Sequence, residues 1–146
     1  MTVQFVRGDL FRSSAQTITN PINCRGAMGG GLALEFRRRF PEMFQDCVQR
    51  CRRGEVRTGK PYVWQNQSGQ AVLNFPTKDD WRDSSRIEHI EQGLRYLVGH
   101  YQEMGITSLA LPALGCGLGG LGWGAVRPVM ERELSRLGVP VEIFEP

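Results

Sequence analysis

Two spacings of apolar residues take turns along this chain. Runs rich in branched and aromatic side chains occur at Val3 to Val6, Gln16 to Asn20, Pro61 to Gln65, Ala71 to Phe75, Ser108 to Leu111 and Val139 to Phe144, a composition that suits pleated strands. Together they predict a sheet of about six strands. Between them the apolar spacing changes to three and four residues. Ile87, Ile90, Leu94, Leu97, Val98, Tyr101 and Met104 form one helical stripe, with Ser85 and Glu88 as an expected capping box and Gly105 as the expected left-handed end. A last helix places Val126, Val129, Met130 and Leu137 on one side, tolerates Pro128 near its start and is expected to stop at Gly138. A first helical stretch runs from about Gly30 to Arg53, and Pro41 is expected to split or kink it by removing a backbone donor.

Strands that alternate with such helices favour parallel pairing, which predicts an α/β layered fold. No repeat or linker-like tract interrupts the 146 residues, so a single domain over 1–146 is expected. Ligands of open α/β sheets bind outside the carboxyl ends of the strands, and two glycine-rich segments are expected there. One runs from Asn20 through Asn23, Gly26 and Met28 to Gly29, Gly30 and Gly31; the other runs from Pro112 through Gly115, Cys116, Gly117, Leu118, Gly119 and Gly120. Glycine lets main-chain amides close around an anion, and the helix start that follows adds a favourable dipole. Two such loops at one sheet edge suit a diphosphate. Gly115, Gly117 and Gly120 fit a dinucleotide fingerprint in spacing, but only one helix and one strand follow them. Gly26 and Gly31 have P-loop spacing but lead into Leu32 and Ala33, so the phosphate-binding lysine of an ATPase is missing.

Charge adds a direction to this picture. Residues 1–60 carry 11 Lys and Arg against 5 Asp and Glu, a net of +6, whereas the remainder carries 7 against 10, a net of −3. Runs such as Arg37 to Arg39, with Arg50, Arg52, Arg53, Arg57 and Lys60, fit either a solvated face or attraction to a nucleic acid. Cys24, Cys47, Cys51 and Cys116 lack zinc-ligand spacing, so neither a metal nor a cofactor is expected, and Cys47 and Cys51 read as small buried hydrophobes on a helix. No apolar run is long enough to span a bilayer, and Met1 to Phe5 reads as a strand instead of a signal peptide. A soluble, cytoplasmic monomer is expected.

Gly8-Asp9-Leu10, the Asn20-x-x-Asn23 loop and the late Gly-Cys-Gly-Leu-Gly-Gly loop together resemble a macrodomain over essentially the whole chain. The resemblance implies a three-layer α/β/α sandwich with a mixed sheet of about six strands and ADP-ribose as the ligand. It implies that Asp9 binds the adenine amino group beside the Leu10 backbone and that Asn23 faces the distal ribose. Met28, Gly29, Gly30 and Gly31 would close one side of the diphosphate, Gly115 to Gly120 the other, with Asn20, Thr77 and Cys116 in the same site. Phe75-Pro76-Thr77-Lys78-Asp79-Asp80-Trp81-Arg82 is similar to the DarG antitoxin branch and its relative, the terminal ADP-ribose protein glycohydrolase. That branch removes ADP-ribose placed on DNA bases by a DarT toxin, and the lysine of this motif, Lys78 here, is its catalytic residue. The protein-directed relative has an aspartate where this chain has Gly119, and a histidine common in the DarG branch is Asp80 here. DarG proteins usually carry a second domain, so the chain is either a solitary macrodomain or part of a longer protein.

The resemblance therefore makes Lys78 the expected catalyst, acting at the distal ribose either by attack or through an activated water. Asp79 and Asp80 are expected to point away from it. Trp81 and Arg82 are candidates for stacking a base and contacting a phosphate, with core packing the alternative for Trp81. Trp123 reads as packing, and His89 and His100 as surface or capping residues. The expected partners are ADP-ribose, an ADP-ribosylated nucleic acid and a DarT-like toxin. A module that binds ADP-ribose without cleaving it and a hydrolase of protein-linked ADP-ribose are the alternatives.

Overall fold

The computed structural model describes residues 3–146; Met1 and Thr2, the start of the expected N-terminal strand run, lie outside the described residues. Its strands are β1 (Val3–Val6), β2 (Thr17–Asn23), β3 (Tyr62–Gln65), β4 (Ala71–Lys78), β5 (Leu109–Pro112) and β6 (Val141–Phe144). The helices are α1 (Gly31–Arg39), α2 (Pro41–Arg52), α3 (Ile87–His100) and α4 (Trp123–Leu134), with a short 3-10 turn at Leu10–Arg12. One mixed sheet results, in the order β1-β6-β5-β2-β4-β3. All pairings are parallel except that of β3 with β4.

Alternation along the strands builds two cores, because successive side chains point to opposite faces. Leu73, Phe75, Leu109, Leu111, Val141 and Ile143 pack with Ile90, Leu94 and Leu97 of α3 and Val126 and Met130 of α4. Ile18, Ile22, Val72 and Ala110 point the other way, against Phe36 of α1 and Met43 and Cys47 of α2. The result is the expected three-layer α/β/α sandwich. Among the described residues no helix is long and apolar enough to cross a membrane.

Several expected boundaries move. The Asn20-x-x-Asn23 segment is strand, not loop, because β2 pairs with β4 throughout, in one register from Thr17 opposite Ala71 to Ile22 opposite Pro76 and, shifted by one residue, at Asn23 opposite Lys78. Pro41 does split the first helix, taking the first position of α2 after Phe40, where a missing N–H costs nothing. The capping box does not form: α3 starts at Ile87 after Arg86, without a side-chain cap. Ser85 instead donates its backbone N–H to the Gly119 carbonyl at 2.9 Å. The last helix ends at Leu134, before Gly138, and Leu137 is buried in the turn beyond it.

Phe75 anchors the strand that carries Lys78, and α3 makes room for it with a glycine. A Cβ on Gly93 would lie 2.4 Å from Phe75 Cζ. Gly93→Ala should therefore destabilise the domain: overpacking costs about 1–3 kcal/mol, more than the roughly 1 kcal/mol of helix propensity gained. The expected readout is a lower urea midpoint at unchanged slope; a raised midpoint would show that Phe75 has room to yield.

Candidate functional site

The two central strands stay together for only part of their length. β2 and β5 pair at Thr17 with Leu109 and at Ile18 with Ala110, yet continue to Asn23 and Pro112. From the split, β2 leads to α1 on one face and β5 to α4 on the other, the topology at which open α/β sheets form a crevice. A cleft of about 960 Å³ lies there, within the usual size range of small-molecule sites.

Both walls of the cleft present main-chain donors. Among the described residues the N–H groups of Gly29 and Gly30 on one side, and of Gly117, Leu118 and Gly119 on the other, donate to no protein acceptor. α1 begins here with Gly30 as its N-cap, no side-chain cap and no acid in its first turn, so its first amides and positive dipole end stay uncompensated. Such an edge favours an anion. Leu118 is 77% exposed, and its Cδ1 lies 3.3 Å from where a Cβ would sit on either Gly30 or Gly31. The second loop thus reaches across to touch the first.

Lys78 lines the same cleft from β4. Pairing slips just before it: Ile22 faces Pro76 and Asn23 faces Lys78, leaving Thr77 as the extra residue of a bulge. Thr77 donates its hydroxyl to the Ile22 carbonyl at 3.3 Å, which fastens the bulge whose usual effect is to re-aim a neighbouring side chain. Asn23 lines the cleft but spends its amide on the loop, donating to the Ala27 carbonyl at 2.7 Å and accepting from the Arg25 N–H at 2.9 Å.

Acidic neighbours of Lys78 are occupied elsewhere. Asp79 binds the Arg25 guanidinium at 2.9 Å, and Asp80 binds that of Arg82 at 3.0 Å. Hydrogen bonds from the Arg82 side chain and backbone hold the Asp80 carboxyl well below the usual carboxylate range. Among the described residues the Lys78 amine has no ion pair or hydrogen bond.

The Macro domain family model matches residues 19–130. The chain belongs to the macrodomain family. A DNA ADP-ribosyl glycohydrolase of Thermus aquaticus is 41% identical to it over 148 residues, covering 99% of this chain and 41% of that protein. A DNA ADP-ribosyl transferase-DNA ADP-ribosyl glycohydrolase fusion protein of Thermosipho africanus is 41% identical over 162 residues, covering 99% and 42%. The solved structure of Thermosipho africanus DarTG in complex with ADP-ribose matches at a TM-score of 0.95 and 42% identity, covering 99% of this chain and 42% of that one. This macrodomain thus spans about two fifths of the length of the curated relatives it matches.

The macrodomain brings most of the expected site residues to one cleft: Asp9, Leu10, Asn23, Met28 to Gly31, Thr77, Lys78, Trp81, Cys116, Gly117, Leu118 and Gly119. Asp9 accepts the Phe11 N–H at 2.9 Å with one carboxylate oxygen. Asn20 is not on the lining; it is fully buried and donates to Asn74 Oδ1 at 3.0 Å. Gly115 and Gly120 supply positive-φ turns behind the second loop, and Arg82 stands outside, over the Trp81 ring at 5.5 Å. Trp81 is 58% exposed, so the core-packing alternative for it fails. Trp123 packs edge-on to Phe5 and donates to Glu145 at 3.3 Å. His100 donates its Nδ1–H to the Tyr96 carbonyl at 2.7 Å.

Sequence reading missed Phe144 and Glu145, which also line the cleft. Their signal was available: they stand at the end of β6, at the carboxyl edge where the crevice was expected. It also missed why position 119 is glycine. A Cβ there would lie 2.3 Å from Ser85 Oγ and 2.6 Å from the Gly115 carbonyl oxygen, so a side chain at this position does not fit the loop as it stands. Gly119→Ala should push the loop off Ser85 at a cost of about 1–3 kcal/mol. Hydrogen exchange would register it as faster exchange of the Ser85 amide; unchanged protection would mean that the loop absorbs a side chain.

Proposed function

We propose that this macrodomain removes ADP-ribose from modified DNA bases, with Lys78 as the catalytic residue. The observation that carries the reading is an unpartnered lysine at the end of β4, lining a cleft whose two walls offer free main-chain amides. The diphosphate of ADP-ribose lies between Gly29 to Gly31 and Gly117 to Gly119. Asp9 and the Leu10 backbone take the adenine from the β1 side, with the second Asp9 carboxylate oxygen accepting from its amino group. The distal ribose then lies on the β4 side, before Lys78 and Asn23. Asn23 acts mainly by holding the loop in shape, since its amide is engaged within it.

At the anomeric carbon, two routes use the same lysine. In one, the neutral amine forms a bond to that carbon as the bond to the base breaks, and water later releases ADP-ribose and regenerates the amine. In the other, Lys78 takes a proton from a water that makes the attack. Both depend on holding the sugar, which the fixed diphosphate achieves. Trp81, exposed at the mouth of the cleft, is suited to stack on a base.

The names of the Thermus and Thermosipho relatives support DNA as the substrate, and the Thermosipho complex supports ADP-ribose as the ligand. A fusion to a transferase supports a DarT-like toxin as the partner whose modification is reversed. The same reading makes the domain a cytoplasmic monomer.

Lys78→Ala should abolish release of ADP-ribose from a modified oligonucleotide while leaving the affinity for free ADP-ribose within about threefold, a change of less than ~1 kcal/mol. Equal loss of both would make Lys78 structural. Turnover that survives the substitution would point to a different catalyst. Faster turnover of a modified protein than of modified thymidine or guanosine oligonucleotides would favour the protein-directed alternative.

A further inference from the structure

Behind the Lys78 loop lies a second hollow, of about 450 Å³, whose lining includes Cys24, Arg25, Cys51, Arg52, Val56 and Asp79. It starts one residue beyond the main cleft on both strands. Asn23 and Lys78, opposite one another, line the cleft, whereas Cys24 and Asp79 line the hollow. The Cys24 N–H donates to the Asp79 carbonyl at 2.8 Å, so this shared wall is fixed. The hollow therefore adjoins the Lys78 end of the cleft across the paired Arg25 and Asp79.

The hollow differs in character from the cleft. Its walls are more polar than apolar, whereas those of the cleft are mostly apolar. Arg52 stands exposed at the end of α2, and Arg57 stands exposed between Val56 and Thr58, whose backbone reaches the Cys24 thiol. Among the described residues neither Arg52 nor Arg57 has an ion pair, while Arg25, Arg50, Arg53 and Arg82 are all paired with carboxylates. Uncompensated cations attract an anion over distance, and paired ones largely cancel. Burial pushes the Cys24 thiol up to about 11, and a hydrogen bond with Cys47 raises that of Cys51, so both lining thiols keep their protons at neutral pH.

We propose that this hollow is a subsite for the nucleotide that flanks the modified one in a single-stranded nucleic acid, with Arg52 and Arg57 facing its phosphates. This rests on the DNA-directed reading and extends it from a modified base to a length of strand. The test is the double variant Arg52→Glu/Arg57→Glu, two exposed positions whose exchange should leave thermal melting unchanged. Arg52→Gln/Arg57→Gln serves if the charge reversal misfolds. Fluorescence anisotropy of an unmodified single-stranded oligonucleotide should show about tenfold weaker binding, with the salt slope reduced by about 1.4 for two lost phosphate contacts. Calorimetry with free ADP-ribose should show no change, and KM should rise for a modified oligonucleotide but not for a modified mononucleoside. Unaltered oligonucleotide affinity and salt slope would overturn the proposal, as would no measurable wild-type binding at low salt or an equal loss for free ADP-ribose. If the wild type binds the unmodified strand but releases no ADP-ribose from the modified one, the glycohydrolase reading falls, and the anisotropy still decides the hollow.

Discussion

A main-chain N–H that finds no acceptor inside a protein must find one outside it, at a cost of about 1–3 kcal/mol if it is buried without one. In most of this fold the obligation is met by the sheet and the helices. It is left open where β2 and β5 separate after Ile18 and Ala110. Proline contributes to the opening: Pro21 and Pro112, on the two parting strands, have no N–H to bridge the gap. The loops that follow run to opposite faces, and among the described residues they leave five amides, four of them from glycines, free around one space. An anion held there is bound by the backbone itself, so affinity depends on loop shape more than on any one side chain.

The same parting determines what stands next to the anion. β4 follows β2 past the split because the two stay paired, and the bulge at Thr77 puts Lys78 on the cleft wall at the end of that strand. Arg25 and Arg82 then serve Lys78 indirectly, by occupying the two carboxylates that follow it in sequence. Arg25 also forms part of the wall shared with the second hollow. Cleft and second hollow therefore meet at one junction, Asn23-Cys24-Arg25 against Lys78-Asp79.

Much of this was legible in the order of residues. Strand positions, the break at Pro41 and the convergence of two glycine segments follow from apolar spacing and from the chemistry of proline and glycine. The role of Lys78 was not: an isolated lysine in an acidic loop reads as a solvated charge, and only its resemblance to a motif singled it out. Other features were hidden because they depend on contacts between distant segments. Ser85 looks like a helix cap in its local sequence, but its amide is claimed by Gly119, 34 positions along the chain. The strand character of Asn20 to Asn23 was masked by Pro21, whose missing donor is harmless on the side where β2 has no neighbour. The second hollow left no local sign, since α2 and the segments that follow α2, β2 and β4 each supply only part of it.

The central claim is that two sets of backbone amides, facing each other across the split sheet, hold the diphosphate. A titration of nitrogen-15-labelled protein with free ADP-ribose tests it directly. The amide resonances of Gly29, Gly30, Gly117, Leu118 and Gly119 should move together along one binding curve, while those of Gly54 and Val56 at the second hollow stay in place. If the glycine amides kept their positions at saturating ligand, or only one of the two loops responded, the cradle described here would be wrong.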